Sequence, residues 1–323
     1  MRKIFKTLYA AGFAGALTFT AATACAKDIT IAFVGNSMQY PYDVAVAKGF
    51  QDACKKLGCK TSILDAKGSV EREGNAIDDL IVQNVDGIAF IPQDSAVAKS
   101  WVDKAAEHHI PIVAVATQVG DPDKVPLRQV YGKLTALVTT DDVLAGEHSG
   151  GLAAKTLPSD RVAKIAIVEG SPGMSIVRQR TEGFRKALDK AGIKYQIVAS
   201  QPTDWTADKG EAVCQNVLTA HPDIDVIFSQ ADDMALGCAR AIRAAGSKAK
   251  LIATAGGSRL GNAAIRNGEL DGSVCTRPEL IGRLTATALY DAVTGKNTNK
   301  AQFITYDIPA ITKANLAVCP PEW

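Results

Sequence analysis

The feature that most constrains the fold of this chain is an internal duplication. An apolar run at residues 29–34 is followed by a polar loop and by a helical pattern that opens with Gly49-Phe50. A second apolar run, at residues 164–168, is followed in the same way by a helical pattern that opens with Gly183-Phe184. Self-similarity at this spacing indicates a repeated structural unit. The chain is therefore expected to contain two similar halves.

The match between the halves extends beyond this first unit. Residues 75–82 form a helical pattern that leads to an apolar strand at 87–91, and residues 211–218 lead in the same order to a strand at 225–228. Strands that are apolar on both faces belong in a parallel sheet covered by helices, which also supply the right-handed crossovers. The sequence therefore predicts an α/β protein with two doubly wound parallel-sheet lobes.

The C-terminal segments exceed what the second half needs. A strand at 272–275, a helix at 279–293 and a further segment at 303–307 follow the second unit. We interpret them as the chain returning to the first lobe and crossing back, which gives a multi-strand hinge and a cleft at the carboxyl ends of the strands. The predicted bounds are 27–140 plus 277–307 for the N-terminal lobe and 141–276 plus 308–323 for the C-terminal lobe.

The first 26 residues have the features of a cleaved signal peptide. Arg2, Lys3 and Lys6 precede an apolar stretch at 8–22, and the small residues Ala24-Cys25-Ala26 follow it. A retained N-terminal anchor is the alternative. Cleavage removes three positive charges from a chain whose formal net charge is +2, so the mature chain is nearly neutral. With no Lys/Arg cluster, nucleic acid is excluded as a partner.

Six cysteines remain once Cys25 is removed with the signal peptide. In an exported protein an even number predicts disulfides before it predicts a metal site, and no C-x-x-C pair is present. Cys54 and Cys59 flank Gly58, the expected end of a helix, and are the candidate bridge. The alternative, a buried free thiol, applies best to Cys275, which lies inside a predicted strand. The pairing of the remaining cysteines stays open: Cys214, Cys238, Cys275 and Cys319.

The sequence lacks the motifs of the common enzyme classes. It has no G-x-G-x-x-G after a strand, no Walker loop and no G-x-S-x-G elbow. The acidic pairs Asp141-Asp142 and Asp232-Asp233 directly precede predicted helices, where N-capping and compensation of the helix dipole explain them. We therefore expect that the protein is not an enzyme and that it binds neither a cofactor nor a metal ion.

Several stretches resemble the ribose-type periplasmic binding proteins of ABC importers, over residues 29–316. The resemblance implies a Venus-flytrap fold that closes on a monosaccharide or similar solute in the periplasm, as a monomer, and delivers it to an inner-membrane ABC permease. The stretches that carry it are 92–95, 177–184, 199–202 with Trp205, 216–223 and 232–237.

The resemblance also implies ligand-binding residues. Tyr40, Tyr42 and Asp43 stand where family members offer polar and aromatic groups from their first loop. The family arginine is assigned to Arg178 and the stacking aromatic to Trp205. A guanidinium binds vicinal hydroxyls or a carboxylate, and an indole covers apolar C–H surface. Trp101 and Trp323 are expected to lie away from the cleft.

Other family positions have changed here. Ala116-Thr117 stands where the family has an Asp-Arg pair. Ala231, Gly256 and Thr276 stand where it has an Asn, an Asp and a Gln. The pocket should therefore be roomier or less polar than that of a ribose binder, which favours a larger ring, a polyol, a sugar acid or a modified sugar. The predicted site is completed by Thr117, Asp232, Gly256 and Thr276.

Alternatives remain for individual residues and for the function. Arg178 could pair with Glu182 on its own helix, Trp205 could cap the strand at Tyr195, and Tyr40 and Tyr42 could only stiffen their loop. A ligand sensor that presents a signal molecule to a chemoreceptor or sensor kinase would use the same bound form. A sugar-responsive repressor core is disfavoured by the signal peptide.

Overall fold

The first half of the chain forms five strands of a six-stranded parallel sheet, and the sixth strand, β11 (Gln302–Ile304), comes from the C-terminal part of the chain. The computed structural model describes residues 28–323, so the predicted signal peptide at 1–26 lies outside the described residues. The strand order is β2-β1-β3-β4-β5-β11, with every pair parallel. The elements of this half are β1 (Thr30–Gly35), α1 (Pro41–Leu57), β2 (Lys60–Asp65), α2 (Val70–Val82), β3 (Gly87–Phe90), α3 (Ala98–Glu107), β4 (Ile112–Val115) and β5 (Ala136–Val138).

The second half repeats the plan with a four-stranded parallel sheet. Its strand order is β7-β6-β8-β9. The prediction of two doubly wound α/β lobes is confirmed. The elements are α4 (Asp142–Ala154), β6 (Ala163–Glu169), α5 (Ser175–Lys190), β7 (Tyr195–Pro202), α6 (Ala207–Ala220), β8 (Val226–Ser229), α7 (Asp232–Ala245), β9 (Lys250–Ala253), α8 (Arg259–Asn267) and β10 (Ser273–Val274).

The C-terminal elements return to the first lobe and then leave it. Helix α9 (Pro278–Val293) packs on α1, and β11 (Gln302–Ile304) pairs with β5. Strand β12 (Ala310–Ile311) then pairs antiparallel with β10 in the second lobe, and a short 3-10 helix follows at Leu316–Val318. The chain thus passes between the lobes at residues 139–141, 275–277 and 305–309.

Tyr306 ties the three crossing segments together. Its hydroxyl lies 3.1 Å from Thr140 Oγ1 and accepts a hydrogen bond of 3.0 Å from the backbone N–H of Arg277. The backbone N–H of Thr139 also donates to the carbonyl of Ile304. Because one side chain contacts all three segments, they are held together as a single hinge.

The Gly-Phe signature of the duplication has a packing role in both lobes. A Cβ on Gly183 would lie 1.9 Å from the carbonyl oxygen of Val143 in α4, and a Cβ on Gly49 would lie 2.0 Å from that of Glu279 in α9. The phenylalanines that follow, Phe50 and Phe184, are fully buried. In each lobe the glycine allows two helices to approach and the phenylalanine fills the core beneath them.

All six cysteines of residues 28–323 are paired. Cys54–Cys59 forms as predicted. Cys214–Cys238 joins α6 to α7, and Cys275–Cys319 joins the second crossing segment to the C-terminal residues. The alternative of a free thiol at Cys275 is therefore wrong. None of the helices in this part of the chain is both long and apolar enough to cross a membrane.

We expect Gly183→Ala to lower the free energy of unfolding by roughly 1–3 kcal/mol or more, because the added methyl group must push α5 away from α4. Gly151→Ala in α4 is the matched control, since a Cβ there meets nothing within 4 Å. That change should be neutral or should stabilise by up to about 1 kcal/mol through helix propensity. Denaturant unfolding measures both variants, and equal effects would contradict the close packing.

Candidate functional site

A cavity of about 650 Å³, including the part open to solvent, lies between the lobes. Its walls are built at the carboxyl ends of strands, as a doubly wound fold predicts. Asn36 directly follows β1, Ile91 follows β3 and Ala116 follows β4. The lining residues are Asn36, Tyr40, Tyr42, Asp43, Ile91 and Ala116 from the first lobe, Met174, Ile176, Arg180, Trp205, Ala231, Asp233 and Ala255 from the second, and Trp323.

The lobes touch each other beside this cavity. The N–H of Ser175, the first residue of α5, donates to Ser95 Oγ at 3.0 Å, and Ser95 N–H donates to the carbonyl of Gly173 at 3.1 Å. Ser175 Oγ accepts from the N–H of Gln118 at 3.0 Å, and Gln179 Nε2 donates to Gln118 Oε1 at 2.7 Å. The four side chains, those of Ser95, Gln118, Ser175 and Gln179, are buried. The structure is thus a closed arrangement, with the start of α5 docked on the first lobe.

Trp205 lines the cavity from a strained backbone position. Its φ is +69°, a left-handed value that costs a non-glycine residue on the order of 1 kcal/mol. Its N–H donates to Thr203 Oγ1 at 3.1 Å. The indole lies directly over Gly170, where a Cβ would be 1.8 Å from the ring. Trp205 packs against the apolar clusters of both lobes, so the alternative that it only caps the strand at Tyr195 is wrong.

The arginine in the cavity is Arg180, and the assignment of Arg178 is corrected. Arg180 is 7% exposed, its Nε donates to Asp142 Oδ1 at 2.7 Å, and its Nη1 donates to the carbonyl of Gln230 at 2.7 Å. Arg178 is exposed and forms an ion pair with Asp123 of the first lobe, outside the cavity. It does not pair with Glu182.

Helix geometry explains the error. Residues two apart in an α-helix lie about 200° apart around its axis, so Arg178 and Arg180 face opposite sides. Arg180 is four residues before the fully buried Phe184 and shares its inward face. The spacing of an arginine from the Gly-Phe pair therefore distinguishes the buried Arg180 from the exposed Arg178.

The acidic pairs before the helices differ in their roles. Asp141 caps α4 by accepting from the N–H of Leu144, as predicted. Asp142 is buried, and desolvation raises its pKa although Arg180 opposes the shift. Asp232 caps nothing: its carboxylate accepts from the hydroxyls of Ser258 at 3.1 Å and Ser273 at 2.8 Å, beneath the cavity wall.

Four predicted site residues lie behind the cavity wall. Thr117, Asp232, Gly256 and Thr276 are buried but do not line it. For three of them the preceding residue lines the cavity, namely Ala116, Ala231 and Ala255. Thr276 Oγ1 donates to the carbonyl of Gly256 at 2.8 Å and stabilises the wall from behind. The wall therefore has the methyl groups of these three alanines where the prediction placed the residues that follow them.

The first loop supplies the predicted residues Tyr40, Tyr42 and Asp43 to the cavity. The carboxylate of Asp43 accepts from the N–H of Ser37 at 2.9 Å. Burial raises the pKa of Asp43 to about 7 because no cation compensates its charge. The Oδ1 atom of the neighbouring Asn36 is buried without a hydrogen-bond partner, so a donor on a ligand would satisfy it.

Trp323 reaches the cavity from the C-terminal end of the chain, which corrects the expectation that it lies away from the cleft. Its ring meets Tyr42 edge to face, with centroids 6.0 Å apart. Its carbonyl oxygen accepts from the N–H of Arg259 at 2.7 Å, and the Cys275–Cys319 disulfide holds the segment. Trp101 lies in the core of the first lobe, as expected.

We expect Arg180→Met to lower the free energy of unfolding by roughly 3–5 kcal/mol, because Asp142 would stay buried without its partner. Adding Asp142→Leu should recover most of this loss. Arg178→Met, which breaks an exposed pair, should change stability by less than about 1 kcal/mol. Denaturant unfolding measures the three variants. Equal losses of unfolding free energy in Arg178→Met and Arg180→Met would contradict the assignment of Arg180 as the buried, paired arginine.

We expect Asp43→Asn to remove part of the pH dependence of stability. The pKa of Asp43 rises from 3.8 to about 7 on folding, so the folded protein holds the proton that the unfolded chain releases between these values. Stability therefore falls as pH rises through this window, by at most about 1.4 kcal/mol per pH unit for one group. Asparagine keeps an oxygen that accepts from the N–H of Ser37. The stability of the variant relative to the wild type should therefore increase from pH 4 to 7.

The control for this prediction is Asp160→Asn, which removes an exposed charge from the loop before β6. Its stability difference from the wild type should not change over the same pH range. If thermal unfolding showed the Asp43→Asn difference to be equally independent of pH, the carboxyl group would be ionised in the folded protein throughout.

Comparisons with known proteins agree with this architecture. Residues 31–297 match the family model described as periplasmic binding protein domain. The ribose import binding protein of Bacillus subtilis is 33% identical over 85% of each chain, and the D-allose-binding periplasmic protein of Escherichia coli is 30% identical over 86% of this chain and 88% of its own.

Solved structures show the same fold. The Caulobacter myo-inositol binding protein, bound to myo-inositol, superimposes with a TM-score of 0.81 at 25% identity, covering 90% of this chain and 95% of its own. A Mycobacterium smegmatis protein in complex with β-D-fucofuranose gives 0.80 at 26% identity, covering 90% and 93%. The chain therefore belongs to the ribose-type periplasmic binding proteins, which are two-lobed solute-binding proteins and not enzymes.

Proposed function

We propose that the protein is a periplasmic solute-binding protein that captures a sugar or sugar-like solute between its lobes and delivers it to an ABC permease. Polyols, sugar acids and modified sugars belong to this class. The observation that carries the proposal is the cavity between the lobes, with aromatic walls from both of them, at the carboxyl ends of the strands. Relatives named for ribose and D-allose, and a structural neighbour that holds myo-inositol, support a carbohydrate-like solute.

The chemistry of the walls suits a ring with one apolar face. The indole of Trp205 offers a flat surface for C–H groups, and the polar side chains of Arg180 and Asn36 line the same cavity. A solute between the lobes contacts both of them only in the closed form, so its binding must shift the population toward closure. The bound and closed form is then what a permease would recognise.

The methyl groups of Ala116, Ala231 and Ala255 argue against ribose as the solute. By the family resemblance, polar anchors belong at or beside these positions. A ribose hydroxyl left without a partner there costs roughly 1–3 kcal/mol. We therefore propose a solute that is larger or less uniformly hydroxylated than ribose.

A thermal-shift screen of pentoses, hexoses, polyols, sugar acids and amino sugars tests the proposal. A solute that binds only the native state stabilises it by about 2.7 kcal/mol at a hundred times its Kd, which should raise the melting temperature by several degrees. At least one member of the screen should do so. No shift with any member at millimolar concentration would contradict the proposed solute class.

Tryptophan fluorescence then tests the place of binding. We expect a saturable change on addition of the solute, which Trp205→Phe loses in large part because its ring contacts the ligand. Trp101→Phe is the matched control, since Trp101 lies in the core of the first lobe. Because Trp323 also lines the cavity, a full response kept in the double variant Trp205→Phe/Trp323→Phe would place the solute elsewhere.

A further inference from the structure

Two carboxylates line the cleft without a basic partner among residues 28–323. Asp43 is 4% exposed, and the charge-neutral N–H of Ser37 donates to it. Asp233, in the first turn of α7, forms neither a hydrogen bond nor an ion pair through its carboxylate in this part of the chain. The two lie on opposite lobes, so they face the solute space from both sides.

The single cation in the described lining does not compensate them. Arg180 is the only basic residue among those that line the cavity in residues 28–323. Its guanidinium is neutralised by Asp142 at 2.7 Å and held by the carbonyl of Gln230. The described lining therefore holds two carboxyl groups without a cation of their own. A cationic solute would favour their ionised forms, and in this partly desolvated space the attraction is stronger than in water.

The aromatic walls add to this preference for a cation. Four rings line the cavity: Tyr40, Tyr42, Trp205 and Trp323. The face of an aromatic ring is electrostatically negative and attracts cations within about 6 Å of its centroid. The guanidinium of Arg180 already lies 5.8 Å from the centroid of Trp205. An ammonium group on a solute would gain the same interaction.

Unpartnered polar atoms define what else the solute carries. Asn36 is 2% exposed, and its Oδ1 accepts no hydrogen bond, which suits an N–H donor. The indole nitrogens of Trp205 and Trp323 are buried donors without an acceptor, which suit hydroxyl or ring oxygens. The cleft thus offers an acceptor and two carboxylates to an ammonium group, and two donors to oxygen atoms.

We propose that the cleft selects solutes that carry a protonated amine on a hydroxylated ring, an amino sugar being the simplest example. This inference rests on the proposed function of the same cleft and narrows it. A sugar acid is disfavoured, because its carboxylate would face Asp43 and Asp233 with no free cation to receive it.

Isothermal titration of the purified protein with matched solutes tests this selection. The pairs are D-glucosamine with D-glucose and D-galactosamine with D-galactose, and D-glucuronate is the anionic member. We expect the amine of at least one pair to bind at least tenfold more tightly than its neutral counterpart, and D-glucuronate not to bind. Equal or tighter binding of the neutral sugars, binding of D-glucuronate, or no binding of either amine at millimolar concentration overturns the inference.

Asp233→Asn separates a charge effect from a change in fold. Because its carboxylate makes no bond within the described chain, the variant should keep its melting temperature and lose at least tenfold in affinity for the amine. Asp160→Asn, which removes an equal charge at the opposite end of the second-lobe sheet, should keep full affinity. Equal affinities in the two variants overturn the role of Asp233. Binding of neutral sugars alone would overturn the amine selection while leaving the proposed sugar capture intact.

Discussion

The packing of α5 against α4 positions one wall of the cavity that we propose as the ligand site. Gly183 lets the two helices approach to the point where a methyl group would meet the backbone of Val143. Arg180, one turn earlier on the same face, is brought against Asp142 at the start of α4. The amino-terminal end of α5 then projects toward the first lobe and carries Met174 and Ile176 into the cavity. This contact therefore sets the part of the second-lobe wall that comes from α5.

The hinge and the C-terminal residues complete the site from the other side. Tyr306 holds the three crossing segments together, so the lobes can rotate about one axis while each keeps its own sheet intact. The Cys275–Cys319 disulfide fastens the last residues beside this hinge, and Trp323 then packs on Tyr42 within the cavity.

The fold could be predicted from the sequence further than the site could. The duplication in apolar runs and Gly-Phe pairs is a property of the cores, and each half repeats the same local rules. The Gly-Phe pair was placed at the start of a helix, but in α1 and α5 it lies inside, because its function is to pack one helix on another. The site depends instead on which of two neighbouring residues turns inward. Ala116 and Thr117, or Ala255 and Gly256, follow strand ends where no helical or strand period applies. Trp323 is distant in sequence, and long-range contacts bring it to the cavity: the Cys275–Cys319 disulfide, the hydrogen bond from Arg259 and the ring contact with Tyr42.

The central claim is that a solute binds between the lobes and stabilises their closed arrangement. Small-angle X-ray scattering, with and without a solute that raises the melting temperature, tests it most directly. The buried contacts of Ser175 and Gln179 with the first lobe form only when the lobes meet. The account predicts that the radius of gyration falls as the solute saturates the protein and that the bound profile matches the closed structure. A solute that binds saturably and leaves the radius of gyration unchanged would contradict it.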